Sequence, residues 1–209
     1  MKHHAELLIL FVKHPVAGQT KTRLAASIGH PKALAAYQEM LQHLRSVARE
    51  TQRAVAVFYG NQIPDHDLWQ EAGWPRLLQS GATLGDRMNG AFAWGQAQGY
   101  QRMVLVGSDI PGVDAPLLEQ AFAQLQTHGA VLGPANDGGY YLIGLHGPDA
   151  QIFDDLPWST PEVLRLTQQR LTEAGLSYAW LPEQQDVDTV EDLPGTFLAH
   201  YLSADSSAS

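Results

Sequence analysis

Residues 7–12 read Leu-Leu-Ile-Leu-Phe-Val, and residues 13–24 continue as Lys-His-Pro-Val-Ala-Gly-Gln-Thr-Lys-Thr-Arg-Leu. An unbroken apolar run of this length is typical of a strand that is buried on both faces of a parallel sheet. The basic, glycine-containing segment that follows predicts a loop that enters a helix at about Thr20. A buried strand, a loop and a helix in this order are the beginning of an α/β fold.

Similar apolar runs follow at residues 54–59, 103–106, 130–132 and 141–145. Between them, apolar residues recur every three or four positions, as on one face of a helix. The alternation predicts an α/β fold of three layers, with a mainly parallel sheet and helices on both of its faces. In sheets of this kind ligands bind beyond the carboxyl ends of the strands, so the loops after these runs are the candidates for a site.

The composition bounds the kind of protein. The chain has 209 residues and no cysteine, which excludes disulfides, thiolate catalysis and cysteine-based zinc sites and favours a reducing, cytoplasmic setting. No apolar run approaches the ~20 residues of a membrane span, so no membrane partner is expected. We expect one domain over residues 1–202 and a disordered, low-complexity tail over 203–209.

The charge is unevenly distributed. The net charge is −9, yet the first 53 residues hold eight Lys or Arg and three acids. An acidic chain argues against a nucleic-acid partner, which requires a basic surface. The basic N-terminal part is compatible with a small anionic ligand, and a chance asymmetry of solvated charges is the alternative.

The loop after the first run has features of a phosphate site. Gly18 allows a ligand to approach the backbone closely, and a helix start offers free N–H groups. Lys21 and Arg23 add positive charge. The spacing fits neither a Walker P-loop nor a G-x-G-x-x-G fingerprint. The alternative is a solvated, basic first turn of a helix.

Two later loops carry carboxylates. Asp109 lies in Gly-Ser-Asp-Ile-Pro-Gly after the run 103–106, where it either helps to bind a hard cation such as Mg²⁺ or caps a turn. Asp186 and Asp188 alternate in Asp-Val-Asp-Thr, so both point one way in an extended chain. Thr189 and Asp192 have the spacing of a capping box. Two carboxylates that face a common pocket require a cation between them, unless one protonates.

Residues 133–144 read Gly-Pro-Ala-Asn-Asp-Gly-Gly-Tyr-Tyr-Leu-Ile-Gly. Asn-Asp-Gly-Gly between apolar runs predicts a turn, and local reasoning leaves open whether it is a plain hairpin or a substrate loop. Since adjacent residues of a strand point to opposite faces, at most one of Tyr140 and Tyr141 is expected to line a pocket.

Six motifs in this order resemble the bacterial radical-SAM/selenodomain-associated transferases, a glycosyltransferase-like family. They are FVKHPVAGQTKTRL, LGDRM, VGSDIP, GPANDGGYYLIGL, PWST and DVDTVEDL, and the resemblance runs from about residue 7 to residue 193, nearly the whole chain. Val190 stands where proline is usual. More distantly, the chain resembles 2-phospholactate guanylyltransferase and molybdenum-cofactor guanylyltransferases.

The resemblance implies a glycosyltransferase-A (nucleotide-diphospho-sugar transferase) fold with a nucleotide pocket in the N-terminal half of the sheet. It implies Mg²⁺ or Mn²⁺ on Asp109 and Asp188, which makes Asp109 catalytic, and it places Asp137 on the acceptor side. No other general base is evident in the sequence, so Asp137 is taken as the second catalytic residue. The phosphates are then held by Gly18, Lys21, Thr22 and Arg23. The rim of the pocket is formed by Gly85, Asp86 and Arg87, and the acceptor side includes Gly138 and Gly139.

Three functions remain open at this point. The first is a metal-dependent glycosyl transfer from a sugar nucleotide to a small acceptor. The second is a nucleotidyl transfer from a nucleoside triphosphate, which releases pyrophosphate. The third is a non-catalytic nucleotide-binding module. Sugar-nucleotide enzymes often carry Asp-x-Asp near a mid-chain strand end, whereas here that region has only Asp109, directly before Ile110. The donor base, the acceptor and the oligomeric state are not fixed by the sequence.

Overall fold

The computed structural model describes residues 5–202, so the tail predicted to be disordered, 203–209, lies outside the described residues. The strands are β1 (Glu6–Val12), β2 (Ala54–Tyr59), β3 (Arg76–Leu78), β4 (Arg102–Gly107), β5 (Ala130–Pro134), β6 (Tyr140–Leu145) and β7 (Tyr178–Trp180). The α-helices are α1 (Thr22–Ile28), α2 (His30–Glu50), α3 (Leu84–Ala97), α4 (Ala115–Gln124), α5 (Ala150–Phe153) and α6 (Val163–Glu173). Short 3₁₀ helices cover Gln70–Ala72, Val190–Asp192 and Ala199–Leu202.

The strands form one sheet in the order β3-β2-β1-β4-β6-β5-β7. Six of these strands run in the same direction, and β6 runs against its neighbours β4 and β5. The predicted mainly parallel sheet is therefore confirmed. The run 141–145, which was grouped with the parallel strands, differs because the tight turn before it reverses the chain. It is nevertheless continuously apolar, since helices cover both faces of the sheet at β6.

The two faces of β1 show why the protein has three layers. Alternate side chains of this strand enter two separate apolar clusters. Leu8 and Leu10 pack with apolar residues of α2 and α4, whereas Ile9 and Phe11 pack with residues of α3. A strand that is buried on both faces has no polar face, which explains the unbroken apolar run.

The register of the central strands places two loops side by side. Phe11 of β1 lies opposite Gly107 of β4, so the chain leaves both strands at the same edge of the sheet. Tyr37 of α2 fixes this arrangement, because its hydroxyl lies 2.9 Å from the Ser108 hydroxyl and accepts a hydrogen bond from the Lys13 amide. The carboxyl edge predicted to carry the site is thus formed by β1 and β4.

Within residues 5–202, no helix combines the length and the apolar character that crossing a bilayer requires. Helix α1 begins at Thr22, two residues later than predicted, and has seven residues. The delay has a local cause: Lys21 takes the left-handed conformation, with φ 49°, and cannot be part of the helix.

Candidate active site

Two adjoining cavities open at the carboxyl edge of the sheet. The large cavity, of about 390 Å³, extends from Gly60 and Gln79 to Trp158. The basic cavity, of about 160 Å³, is formed by residues 19–23 together with Tyr37 and Asp188. Both cavities are lined by Lys13 and Asp109, so these two residues mark the junction between them.

Lys21 is the centre of the basic cavity. Its Nζ lies 3.1 Å from Oδ1 of Asp109 and 3.0 Å from Oδ1 of Asp188, and its side chain is 6% exposed. Burial disfavours the ammonium charge, but Asp109 and Asp188 outweigh it, and the pKa of Lys21 is raised above its usual value. Lys21 is therefore a fixed positive charge between two carboxylates.

Arg23 approaches Asp188 from the other side. Its Nη2 is paired with Oδ2 of Asp188, while its side chain stays 73% exposed. Thr22 also lines the basic cavity, whereas Gly18 lies before the residues that do so, with φ 77° and open space around it. The structure thus brings together Lys21, Thr22 and Arg23 of the predicted phosphate site.

The segment that carries Asp188 is fixed to the end of β4. The amide of Val187 donates to the carbonyl of Asp109 at 3.0 Å, and Val187 is fully buried. The predicted capping box over Thr189 and Asp192 is present, and Asp192 also accepts from the amide of Asp188. These bonds explain how two carboxylates far apart in sequence reach one lysine.

Asp186 and Asp188 do not share a pocket. Asp186 lines the large cavity and Asp188 the basic one, while Val187 between them is buried in the core. The expectation that both face one pocket is therefore wrong. Burial, together with the charges of Asp188 and Asp137, raises the pKa of the Asp186 carboxyl.

The predicted metal pair can be tested by its contacts. Asp109 is 42% exposed at the junction of the cavities, so it fits a hard cation that also binds substrate phosphates. Asp188 presents its oxygens to Lys21 and Arg23 instead. Among the described residues, no group of three or more His, Cys, Asp or Glu is arranged to hold a metal ion.

The turn between β5 and β6 belongs to the large cavity. It is a hairpin turn, and Asp137 and Gly139 line the cavity. The segment is therefore both a hairpin and part of the lining of the cavity. Gly138 has φ 86°, and a Cβ there would lie 2.5 Å from the Cα of Pro161. Its carbonyl accepts from the amide of Leu164, which fixes the turn to α6.

Tyr140 and Tyr141 both line the large cavity, so the expectation that at most one of them does is wrong. The two rings do lie on opposite faces, since Tyr141 packs in the cluster of Leu8 and Leu10 and Tyr140 packs against the cluster of Ile9 and Phe11. The cavity reaches both because it opens at the edge of the sheet rather than on one of its faces. Tyr141 donates from its hydroxyl to the carbonyl of Pro182, and Tyr140 meets Trp158 edge to face.

The predicted rim residues have contacts of a different kind. Gly85 is buried, and a Cβ there would lie 2.9 Å from the ring of Trp158. Asp86 forms the capping box of α3 with Thr83, and Arg87 donates to the carbonyl of Gly81. They are not among the lining residues of either cavity, which the neighbouring Leu84 and Met88 provide instead for the large one.

Sequence reasoning gave no role to Trp158 and Gln79, which line the large cavity. The motif Pro-Trp-Ser-Thr was the available signal for Trp158. Gln79 follows β3, a strand of three partly exposed residues that periodicity does not reveal.

Residues 43–160 match the family described as "uncharacterized protein conserved in bacteria (DUF2064)". No curated protein matches the chain. A solved structure of a "putative nucleotide-diphospho-sugar transferase" from Desulfovibrio desulfuricans G20 is 30% identical, with a TM-score of 0.83, and covers 95% of this chain and 94% of its own.

Two more distant structures share the fold. The inositol-1-phosphate CTP transferase from T. maritima is 11% identical, with a TM-score of 0.55 over 100% of this chain and 99% of its own. A CMP:2-keto-3-deoxy-manno-octonic acid synthetase complexed with CTP is 14% identical, with a TM-score of 0.52 over 88% of this chain and 93% of its own. The family match covers more than half of the chain, and this protein belongs to the DUF2064 family of bacterial proteins.

Proposed function

We propose that this protein is a cytoplasmic transferase of the glycosyltransferase-like type, which takes a nucleotide-activated donor and a small acceptor. One observation carries the proposal: the fixed cation Lys21 contacts Asp109, where the two cavities meet, and the exposed cation Arg23 lines the same basic cavity. The six sequence motifs also support membership of the radical-SAM/selenodomain-associated transferases. The name of the 30% identical relative agrees with this activity.

The basic cavity suits the phosphates of the donor. Lys21, Arg23 and Lys13 supply positive charge there, and Arg23 has a forked, exposed guanidinium. Positive groups that are already in place stabilise the charge that develops on a leaving phosphate without reorganisation. At about 160 Å³ this cavity suits the phosphates rather than a whole nucleotide, so in this proposal the nucleoside shares the adjoining large cavity with the acceptor.

We further propose that Mg²⁺ or Mn²⁺ binds Asp109 together with the donor phosphates. Mg²⁺ in proteins is commonly held by one or two carboxylates and substrate phosphate oxygens. When bound, the ion supplies charge neutralisation at the leaving group. Asp109 also lies next to Lys21, so one carboxylate orients both cations.

The large cavity suits an uncharged acceptor. Asp137 and Asp186 line it together with Asp109, and Lys13 is the one lysine or arginine among its lining residues, all of which lie within the described range. Trp158 and Tyr140 add an aromatic wall. A negative charge on the acceptor would face Asp137 and Asp186, since Asp109 is already paired with Lys21, and this repulsion costs binding energy. Asp137 accepts the proton of an attacking hydroxyl in this proposal.

Nucleotidyl transfer is the second candidate. It is favoured by the single Asp109 after β4, where sugar-nucleotide enzymes often have Asp-x-Asp. One of the more distant structures, the inositol-1-phosphate CTP transferase, has an anionic acceptor by its name. Asp137 and Asp186 of the large cavity argue against such an acceptor here.

The proposal is tested by a thermal-shift screen of nucleoside triphosphates and sugar nucleotides, each with Mn²⁺ and with chelator. A ligand at ~100 times its dissociation constant stabilises by about 2.7 kcal/mol, or roughly 5–10 °C for a domain of this size. The binder is then incubated with a pool of neutral acceptors, and nucleoside diphosphate and pyrophosphate are measured. Diphosphate release supports glycosyl transfer, and pyrophosphate release supports nucleotidyl transfer. Binding with neither product would reduce the protein to a nucleotide-binding module.

A further inference from the structure

We propose that the Lys21 ammonium is the resident cation of the Asp109–Asp188 pair. The nucleotide-free protein then has no divalent-metal site between these carboxylates, and Asp188 is a positioning residue that holds Lys21 and Arg23 for phosphates. This inference rests on the proposed function only in taking phosphate as the ligand.

The contacts of Lys21 carry the first step. Its Nζ is within 3.1 Å of both carboxylates, so it occupies the position that a shared metal ion would take. Two like charges this close to each other require a cation between them or protonation of one. The lysine already fulfils that requirement, and its side chain is 6% exposed.

The backbone carries the second step. Lys21 has φ 49°, a left-handed conformation that costs a residue with a Cβ about 1–2 kcal/mol. The turn before it is closed by Thr20, whose hydroxyl accepts from the amide of Val16 and donates to the carbonyl of Val16. The fold thus retains a strained backbone at the residue whose ammonium lies between the carboxylates.

The two oxygens of Asp188 carry the third step. Oδ1 accepts from Lys21 and Oδ2 from Arg23, so the carboxylate orients both cations of the basic cavity at once. A metal ion on Asp188 would have to displace one of them. Asp109 differs, because it is more exposed and contacts Lys21 through Oδ1.

The first experiment measures binding of Mn²⁺ alone, by loss of the free-ion EPR signal, with no nucleotide present. At Mn²⁺ concentrations that saturate Lys21→Met, wild type is expected to bind no Mn²⁺, because only the variant leaves both carboxylates without the lysine. The gain is expected to be at least about tenfold in affinity. Lys21→Asn is the second variant, since asparagine tolerates the left-handed backbone. Lys13→Met is the control, as it removes a lysine that lines the same cavity.

The second experiment measures binding of inorganic pyrophosphate by calorimetry in the presence of chelator. Loss of a negative charge near an anion site should strengthen anion binding by simple electrostatics. A positioning role predicts the opposite, so Asp188→Asn is expected to weaken binding about tenfold. Asp186→Asn is the matched control, because it removes a carboxylate of the same segment that lines the other cavity. It is expected to leave affinity unchanged or to raise it.

Three results would overturn the inference. They are Mn²⁺ binding to nucleotide-free wild type at the affinity of Lys21→Met, no gain in either Lys21 variant, and pyrophosphate affinity that Asp188→Asn leaves unchanged or improves. The Mn²⁺ measurement needs no nucleotide. If it succeeds while no nucleotide binds, the proposed function fails and the assignment of Lys21 stands.

Discussion

Arg23 and Lys21 both pair with Asp188, but their side chains differ in exposure and in the number of carboxylates that they contact. The Lys21 side chain is 6% exposed and contacts two carboxylates, whereas Arg23 is 73% exposed and contacts one. A surface ion pair adds ~0–1 kcal/mol to stability, so Arg23 contributes little to the fold. Its guanidinium, held by Oδ2 of Asp188, is exposed to an anionic ligand, so its loss should affect binding rather than stability.

We therefore expect Arg23→Ala to weaken nucleotide binding by roughly ten- to hundredfold, the loss of one charge-assisted hydrogen bond. The melting temperature is expected to stay within about 2 °C of wild type. Calorimetry and thermal unfolding of the same samples measure both. Arg165→Ala is the control, since Arg165 pairs with Glu162 on α6 and is comparably exposed. Equal affinity in Arg23→Ala and wild type would make the loop a solvated basic turn.

For these residues the sequence predicted that Asp109 and Asp188 lie near each other, but not that Lys21 contacts both. The resemblance implied that Asp109 and Asp188 share one metal ion and therefore lie close together, and both line the basic cavity. That Lys21 lies between Asp109 and Asp188 depends on its left-handed backbone. No local propensity predicts this conformation for a lysine, so a metal ion was the natural expectation.

Among the elements, the hairpin of β5 and β6 connects the sheet to the site. Its turn positions Asp137 at the large cavity, and Gly138 allows the turn to pass against Pro161. Gly138 has a positive φ and no room for a Cβ, whereas Gly18 has a positive φ with open space around it. Substitution of the two glycines therefore distinguishes the cost of backbone strain from the cost of steric overlap.

We expect Gly138→Ala to destabilise the protein by about 2–4 kcal/mol, as strain and overlap combine, and Gly18→Ala by about 1–2 kcal/mol from strain alone. Urea unfolding at equal slope gives both values. The displaced turn should also reduce turnover through Asp137 in Gly138→Ala. Similar values for the two variants would show that Pro161 moves aside at little cost.

The elements that could be predicted are those with long, regular patterns. Continuous apolar runs were sufficient to predict the strands β1, β2, β4 and β5, because a strand that is buried on both faces is apolar throughout. The spacing of apolar residues was sufficient to predict α2, because only one face of this helix is buried. The edge strands β3 and β7 were missed, since each has three residues that are only partly buried. The direction of β6 was missed because a buried central strand is apolar whichever way it runs.

In the whole molecule, ionic groups lie at both ends of β1 and differ in burial. At the carboxyl end they surround an open cavity. At the amino end, Glu6 is 3% exposed and receives Nε of Arg53 at 2.9 Å and Nε of Arg102 at 3.1 Å. Arg53 also pairs with Glu119 and lies over the ring of Phe122. This cluster joins β1 to the starts of β2 and β4, far along the strands from the site.

Stability and binding should therefore be separable by mutation at opposite ends of β1. Removing one partner of a buried ion pair typically costs about 3–5 kcal/mol, because a charge is left buried without compensation. We expect Glu6→Gln to cost about 3 kcal/mol, the lower end of that range, since Arg53 keeps Glu119. Glu119→Gln is the matched control: this partner is 49% exposed, so its loss is expected to cost about 1 kcal/mol or less. Urea unfolding measures both, and nucleotide affinity at a temperature where each variant is folded should equal that of wild type. Equal losses of stability in the two variants, or a change of affinity in Glu6→Gln, would show that the two ends of the sheet are not independent.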